Sequence, residues 1–237
     1  MDTVMMLDTT RLVVGVGILS YASYTDIKTR MASNILWVVM GSVGAVLLVV
    51  QYFTVGIENL FSLVFIPILI AVVYMFFYIG LIFGGADAKA VMALSILTPL
   101  WPHIYGFPLH TSVMPFAWSI FSNAIILFLL IPPAFLIYNI TKKEVEFPYA
   151  LIGYRMSTSK AKEKFVWPLE KLVDGKRKLM FMPEEFDTIE HIEELEKAGR
   201  KEIWVTPKIP FMIPLLVGFI FAFFFGDILF TLVAVFF

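Results

Sequence analysis

LFSLVFIPILIAVVYMFFYIGLIF, residues 60–83, runs for 24 residues without a charge and passes directly into GGADAK, residues 84–89. A helix of about 20 apolar residues covers the roughly 30 Å hydrocarbon core of a bilayer, so this stretch predicts a transmembrane helix that delivers a carboxylate, Asp87, to one membrane face. The rest of the chain is the same material. Of 237 residues, 59% are hydrophobic, 16% aromatic and only 16% charged, and the mean hydropathy is +0.86. A soluble domain carries nearer a quarter charged residues. Zero Cys excludes disulfide scaffolds, thiolate metal sites and cysteine nucleophiles. A net charge of -1 argues against a polyanion ligand, so nucleic acid is not expected as a partner.

Outward from residues 60–83, five more apolar segments are read: Met5 to Thr25, Ile35 to Val55, Ala88 to Ile104, Ser112 to Ile140 and Ile209 to Phe237. The first is not expected to be a cleaved signal peptide, because Lys28 and Arg30 follow its apolar run and only Arg11 precedes the core of it. The fourth is short and runs into Thr98, Pro99 and Pro102. The fifth carries Pro132 and Pro133, which should kink or end it. Lys28, Arg30, Lys89, Lys142, Lys143 and Lys208 all fall on one side if every segment spans, which by the positive-inside rule is the cytoplasm. Both termini then lie outside, with Arg11, Glu58, His103 and His110.

Residues 141–206 hold 13 of the 18 Lys and Arg and 13 of the 19 Asp and Glu. This is a soluble segment. Lys178 to Met182 reads as a strand, Pro183 and Glu184 open a helix through Phe186, Ile189, Ile192 and Leu195 that Gly199 ends, and Glu202 to Thr206 reads as a second strand. The expected fold is an all-α polytopic membrane protein of six transmembrane helices, with a small cytoplasmic α/β domain between helices 5 and 6. Its parts are residues 1–140 (helices 1–5), 141–207 (the soluble domain) and 208–237 (helix 6).

A carboxylate at the edge of a span costs about 2.5 to 3.5 kcal/mol on insertion scales and calls for a reason. Asp26 ends the first segment, Asp87 follows the third, and Asp227 lies in the outer half of the last. The first and third segments run in the same direction, so Asp26 and Asp87 are expected at one depth near the cytoplasmic face. Two carboxylates about 4 Å apart at an effective dielectric of about 20 repel by about 4 kcal/mol when both are ionised. They would therefore share a proton, one oxygen serving as base toward water and the other as acid toward a carbonyl. Gly84 and Gly85 would let the backbone bend and a peptide approach.

Simpler readings stand beside this one. Asp26 with Lys28 and Arg30 could be a solvated helix end, Asp87 could cap the following helix, and Asp227 could lie at the outer headgroups. His103, His110 and His191 read as surface residues. No metal site is expected: His191-Ile192-Glu193-Glu194-Leu195 lacks the second His of a zinc motif, and no His lies inside a span to serve a serine nucleophile. An ion-coupled transporter or channel using Asp26, Asp87 and Asp227 is the alternative. Transporters usually show inverted repeats and midplane acids, neither of which is visible here.

The two aspartates with their flanks resemble the archaeal preflagellin peptidases, relatives of the type IV prepilin peptidases and more distantly of the GxGD membrane proteases. The resemblance covers essentially the whole chain. It rests on Asp26 followed by Lys28, Arg30 and Asn34, and on Gly84-Gly85-Ala86-Asp87 followed by Lys89, with Ala86 where GxGD has its second glycine. The run Glu202-Ile203-Trp204-Val205-Thr206-Pro207-Lys208-Ile209-Pro210, entering the last helix after a soluble insert, also looks like the preflagellin branch. The resemblance implies an aspartic endopeptidase of the cell membrane. It would use Asp26 and Asp87, without metal or organic cofactor, to remove the basic class III leader peptide from preflagellin (archaellin) precursors. Glu184, Glu185, Asp187, Glu190, Glu193, Glu194 and Glu196 form an acidic run that could attract such a leader or could simply be a solvated helix face.

Overall fold

A computed structural model of the chain describes residues 2–80, 84–173, 175–180 and 188–236, with the side chains of 234–236 left aside. Two compact units emerge: Met1–Phe128 with Pro210–Phe237, and Leu129–Ile209.

In the first unit the helices are α1 (Thr3–Thr29), α2 (Asn34–Thr54), α3 (Phe65–Tyr78, entered through a 3-10 turn at Leu60–Val64), α4 (Gly85–Leu97) and α5 (Phe116–Leu129). Among the described residues, four helical stretches are long and apolar enough to cross a membrane: Thr3–Thr29, Asn34–Thr54, Leu60–Tyr78 and Phe116–Lys142. The fourth expected span, Ala88 to Ile104, is helical only to Leu97. Thr98 precedes Pro99 and leaves the helical region at φ -128°, as a residue before proline is biased to do. Pro132 and Pro133 fall where expected, at the break that opens α6 (Ile131–Lys142), a helix counted with the second unit.

The last expected span divides near Gly226. Helix α10 is Met212–Phe224 and α11 is Ile228–Phe236. Gly226 has φ +93°, and its α-carbon lies against the His110 carbonyl, so a side chain there would meet backbone. The two strands of chain run as a short parallel bridge, His110 opposite Gly226. Among the described residues, the six expected spans thus correspond to four long apolar stretches together with the shorter helices α4, α10 and α11.

The unit's core joins Leu19 and Ala22 of α1, Trp37 and Met40 of α2, Ala88, Val91 and Leu94 of α4, Phe116 and Ile120 of α5, and Leu215 and Phe219 of α10. Helices α2 and α4 run side by side in the same direction. Gly44 comes so close to α4 that a β-carbon there would stand 2.6 Å from the Leu97 nitrogen, and Asn34 meets Lys89 at the other end. Apolar residues such as Val38, Val46, Phe61 and Tyr74 face outward, as contact with lipid requires.

The second unit contains α7 (Tyr149–Ile152), β1 (Tyr154–Ser157), α8 (Thr158–Glu163), β2 (Val166–Pro168), β3 (Glu170–Val173), β4 (Lys176–Leu179), α9 (Thr188–Lys197) and β5 (Glu202–Pro207). Strand β5 is the centre of an antiparallel sheet ordered β1-β5-β2, with Arg155 opposite Trp204 and Trp167 opposite Thr206. Strands β3 and β4 form a separate hairpin. The α/β reading of this segment stands, and Gly199 at φ +80° follows α9 as expected. The expected strand Lys178 to Met182 is found as Lys176–Leu179. Its last two residues, and the expected helix start at 183–187 with Glu184, Glu185 and Asp187, lie outside the described residues.

Candidate active site

Helix α1 turns one stripe into the unit: Leu7, Asp8, Arg11, Gly15, Leu19, Ala22 and Ser23 are all buried. Continuing at three- to four-residue spacing brings Asp26 onto the same face, where it is half-buried. The helix closes just beyond it. Arg30 takes the left-handed conformation, φ 56°, and its N–H donates to the Asp26 carbonyl at 3.0 Å, a chain reversal that usually employs glycine. The Arg30 side chain stays near enough for its charge to act on the Asp26 carboxylate. Lys28 points elsewhere: it is exposed, and its Nζ donates to the Tyr24 hydroxyl at 2.5 Å.

Asp87 sits in the first turn of α4, where the unpaired amides of a helix start favour negative charge. It does not serve as the N-cap, which is Gly84. A β-carbon on Gly84 would stand 2.8 Å from the Asp87 Cγ and would strike Oδ2. Gly84 has φ -89°, a conformation open to any residue, so the position is glycine because the carboxylate occupies the space. Gly85 and Ala86 are already helical. A β-carbon at Gly85 would meet only the Phe77 ring, at 3.6 Å, and the Ala86 methyl packs on the core, so the second glycine of GxGD is not needed for backbone conformation here.

Asp26 and Asp87, on different helices and 61 positions apart in sequence, come near enough for the charge of one to act on the other. Lys89 Nζ donates to Asn34 Oδ1 at 2.9 Å, tying the first turn of α4 to that of α2. Asp26, Asp87, Arg30, Asn34, Lys89 and Gly84 thus gather at the end of the unit where α1 stops and α2 and α4 begin.

Three features escaped the sequence reading. Ser23 Oγ and Trp37 Nε1, each about one turn from this end, are buried without a hydrogen-bond partner among the described residues. Asp8 and Arg11, two charges inside the first apolar segment, form a buried ion pair at 2.7 Å. The Arg11 guanidinium also donates to Gln51 Oε1, and Asp8 Oδ2 accepts the His103 amide. Asp227 is buried rather than at headgroups. It accepts from the Ser119 hydroxyl at 2.6 Å, the Ser112 hydroxyl at 3.2 Å and the Phe230 amide at 3.0 Å, which makes it the cap of α11. Their signals, a charge at helical spacing with a partner far along the chain, become legible only once the helices are packed. Among the described residues no three His, Asp or Glu side chains are grouped to hold a metal ion.

Residues 145–228 match the family model described as Archaeal Peptidase A24 C-terminus Type II. The chain is 27% identical to a preflagellin peptidase of Methanococcus voltae over 222 residues, covering 87% of this chain and 91% of that protein. A preflagellin peptidase of Methanocaldococcus jannaschii is 28% identical over 234 residues, covering 91% of this chain and 93% of that one. One of Methanococcus maripaludis is 27% identical over 233 residues. The resemblance carried by the two aspartates therefore extends along about nine tenths of the chain.

Proposed function

We propose that this chain is a membrane aspartic endopeptidase that removes the leader peptide from preflagellin precursors, with Asp26 and Asp87 as its catalytic pair. The observation that carries the reading is that these two carboxylates, on separate helices α1 and α4, lie at the same end of an apolar bundle within electrostatic reach of one another. The likeness to preflagellin peptidases along most of the chain supports it. The transporter alternative loses its third acid, since Asp227 is committed to capping α11 and to two serine hydroxyls.

When two carboxylates approach in an apolar setting, they share one proton, and the pair would do so here as it assembles around the substrate. The ionised carboxylate takes a proton from water as the water oxygen bonds to the scissile carbonyl carbon. The protonated carboxyl hydrogen-bonds the carbonyl oxygen as negative charge develops there. Collapse of the tetrahedral adduct breaks the C–N bond, and the leaving nitrogen takes up the proton. Arg30 beside Asp26 and the Lys89–Asn34 bond at the foot of α4 act as positioning groups. The substrate would be a precursor with a basic leader and an apolar helix, met at the cytoplasmic face of the cell membrane. The soluble unit would lie on that side and both termini outside.

The test is cleavage of a preflagellin precursor in membranes by the wild type, Asp26→Asn and Asp87→Asn. Each substitution keeps the size of the side chain and removes its charge. Both variants are expected to lose cleavage by at least about 1000-fold, the scale seen when a catalytic group is removed, with expression unchanged. Wild-type rates in either variant would remove that aspartate from the mechanism.

A further inference from the structure

Resting on the peptidase reading above, we propose that the Ser23 hydroxyl and the Trp37 indole N–H form a subsite that hydrogen-bonds main-chain carbonyls of the substrate just beyond the scissile bond. Both side chains are more than nine-tenths buried, at 6% and 5% exposure, and neither polar atom has a partner among the described residues. A buried donor left unbonded costs about 1 to 3 kcal/mol, so each of these calls for a partner that the packed helices do not themselves supply.

The Ser23 case is sharpened by its neighbours. A helical serine or threonine can turn its hydroxyl back to the carbonyl three or four residues earlier. Thr9, Thr10, Thr25, Thr29, Thr54, Ser95 and Thr98 all do this in the same unit. Ser23 does not. Trp101, elsewhere in the unit, donates its indole N–H to the Met114 carbonyl, whereas Trp37 donates to nothing described.

Position gives the two donors a common purpose. Ser23 lies three residues before Asp26 on the inward stripe of α1, about 4.5 Å further into the bundle at 1.5 Å per residue. Trp37 lies three residues beyond Asn34 on α2, the same step inward from the Lys89–Asn34 bond. Trp37 also shares one core cluster with Ala22, next to Ser23, and Ala88, next to Asp87. Ser23 therefore stands one turn inside Asp26, and Trp37 one turn inside the Lys89–Asn34 bond.

A peptide bond must leave the helical conformation to be attacked. When the substrate is an apolar helix, unwinding its first turn frees carbonyls that water cannot reach in an apolar setting. Two uncommitted donors, one a turn inside Asp26 and the other a turn inside the Lys89–Asn34 bond, would receive them, holding the chain extended with its scissile carbonyl beside Asp26 and Asp87.

The experiment uses full-length protein in detergent and a preflagellin-derived peptide in which each amide of the first turn after the scissile bond is replaced in turn by an ester, whose carbonyl accepts hydrogen bonds weakly. Wild type should lose about tenfold in kcat/KM at one of these positions. Ser23→Ala or Trp37→Phe should lose about as much on the all-amide peptide and show no further loss with that ester. Ser23→Thr should recover activity. A purely structural role would instead lower rates equally for amide and ester peptides. Wild-type kcat/KM in both Ser23→Ala and Trp37→Phe, or an ester penalty that persists undiminished in both, would overturn the subsite while leaving the peptidase intact. Failure of wild type to cleave the all-amide peptide would instead overturn the peptidase reading, and the subsite with it.

Discussion

Gly84 shows what a small residue does at this site. Its φ is ordinary, and what it supplies is the volume into which the Asp87 carboxylate folds. The side chain that a Gly84→Ala methyl would strike is flexible, so the fold should survive by rotating the carboxylate away, and the reaction should not. Gly84→Ala is expected to melt close to wild type while cleavage falls about 100-fold, since an ångström-scale displacement of a reacting group costs about that much. Gly85→Ala, whose methyl would find only an ordinary contact with Phe77, should cleave at nearly the wild-type rate. Parallel melting curves and cleavage rates decide it: equal losses in the two variants would show that Gly84 acts through the backbone and not through Asp87. The two aspartates and the glycine beside them were legible in the sequence as residue types. What was not legible is the reason for the glycine, because the carboxylate's rotamer is set by packing.

At the level of elements, helices α1, α2 and α3 were readable because each is a long apolar run, and that alone suffices in lipid, where a helix satisfies its own backbone. The early half of the second unit was unreadable because its pieces are short and held by distant partners. Glu146, just ahead of α7, shows how. It accepts from the Trp204 indole of β5 at 3.0 Å and from Arg155 of β1 at 3.3 Å, and it pairs with Arg177 of β4. Arg177 in turn contacts the buried Glu170 of β3 at 3.2 Å and lies over the Tyr149 ring at 4.5 Å. Partial burial works against the Glu146 charge, but the bonds from Trp204, Arg177 and Arg155 outweigh it and hold the carboxyl below the ordinary glutamate range. A group whose folded value is depressed adds stability above its unfolded value, about 4.3, and loses it as pH falls through the folded value. Hydrogen exchange at β5 should therefore be flat from pH 7 to about 5, once corrected for intrinsic rates, and should quicken as pH drops below about 4. Glu146→Gln should exchange faster at pH 7 and lose most of that acid dependence. An acid limb that is the same in both proteins would take Glu146 out of the network's energetics.

For the whole molecule, the distribution of charge predicts the sidedness of the chain. The last turn of α1 and the residue that closes it carry Lys28 and Arg30, the start of α4 carries Lys89, and the end of α6 carries Lys142 and Lys143, whereas the link from α2 to α3 carries Glu58 and no cation. Short loops rich in Lys and Arg stay on the cytoplasmic side because moving them across a charged bilayer is unfavourable, and acidic residues contribute little to that choice. The side on which Lys142 and Lys143 fall is set by the number of crossings before them, so this sidedness requires α4 and the residues after Leu97 to complete a crossing. The division of the last apolar segment could not be seen in advance, since it depends on the His110 carbonyl, more than a hundred residues away, lying against Gly226. The chain's complete lack of cysteine makes the sidedness directly measurable. A single cysteine at exposed Glu58 should react with a membrane-impermeant maleimide in intact cells, and one at exposed Lys160 should react only after the membrane is opened. That pattern places the basic ends, and with them Asp26 and Asp87, where a newly made precursor arrives before export. Labelling of Lys160→Cys in intact cells would put the aspartates on the wrong face for a leader peptidase, and the peptidase reading would lose its substrate.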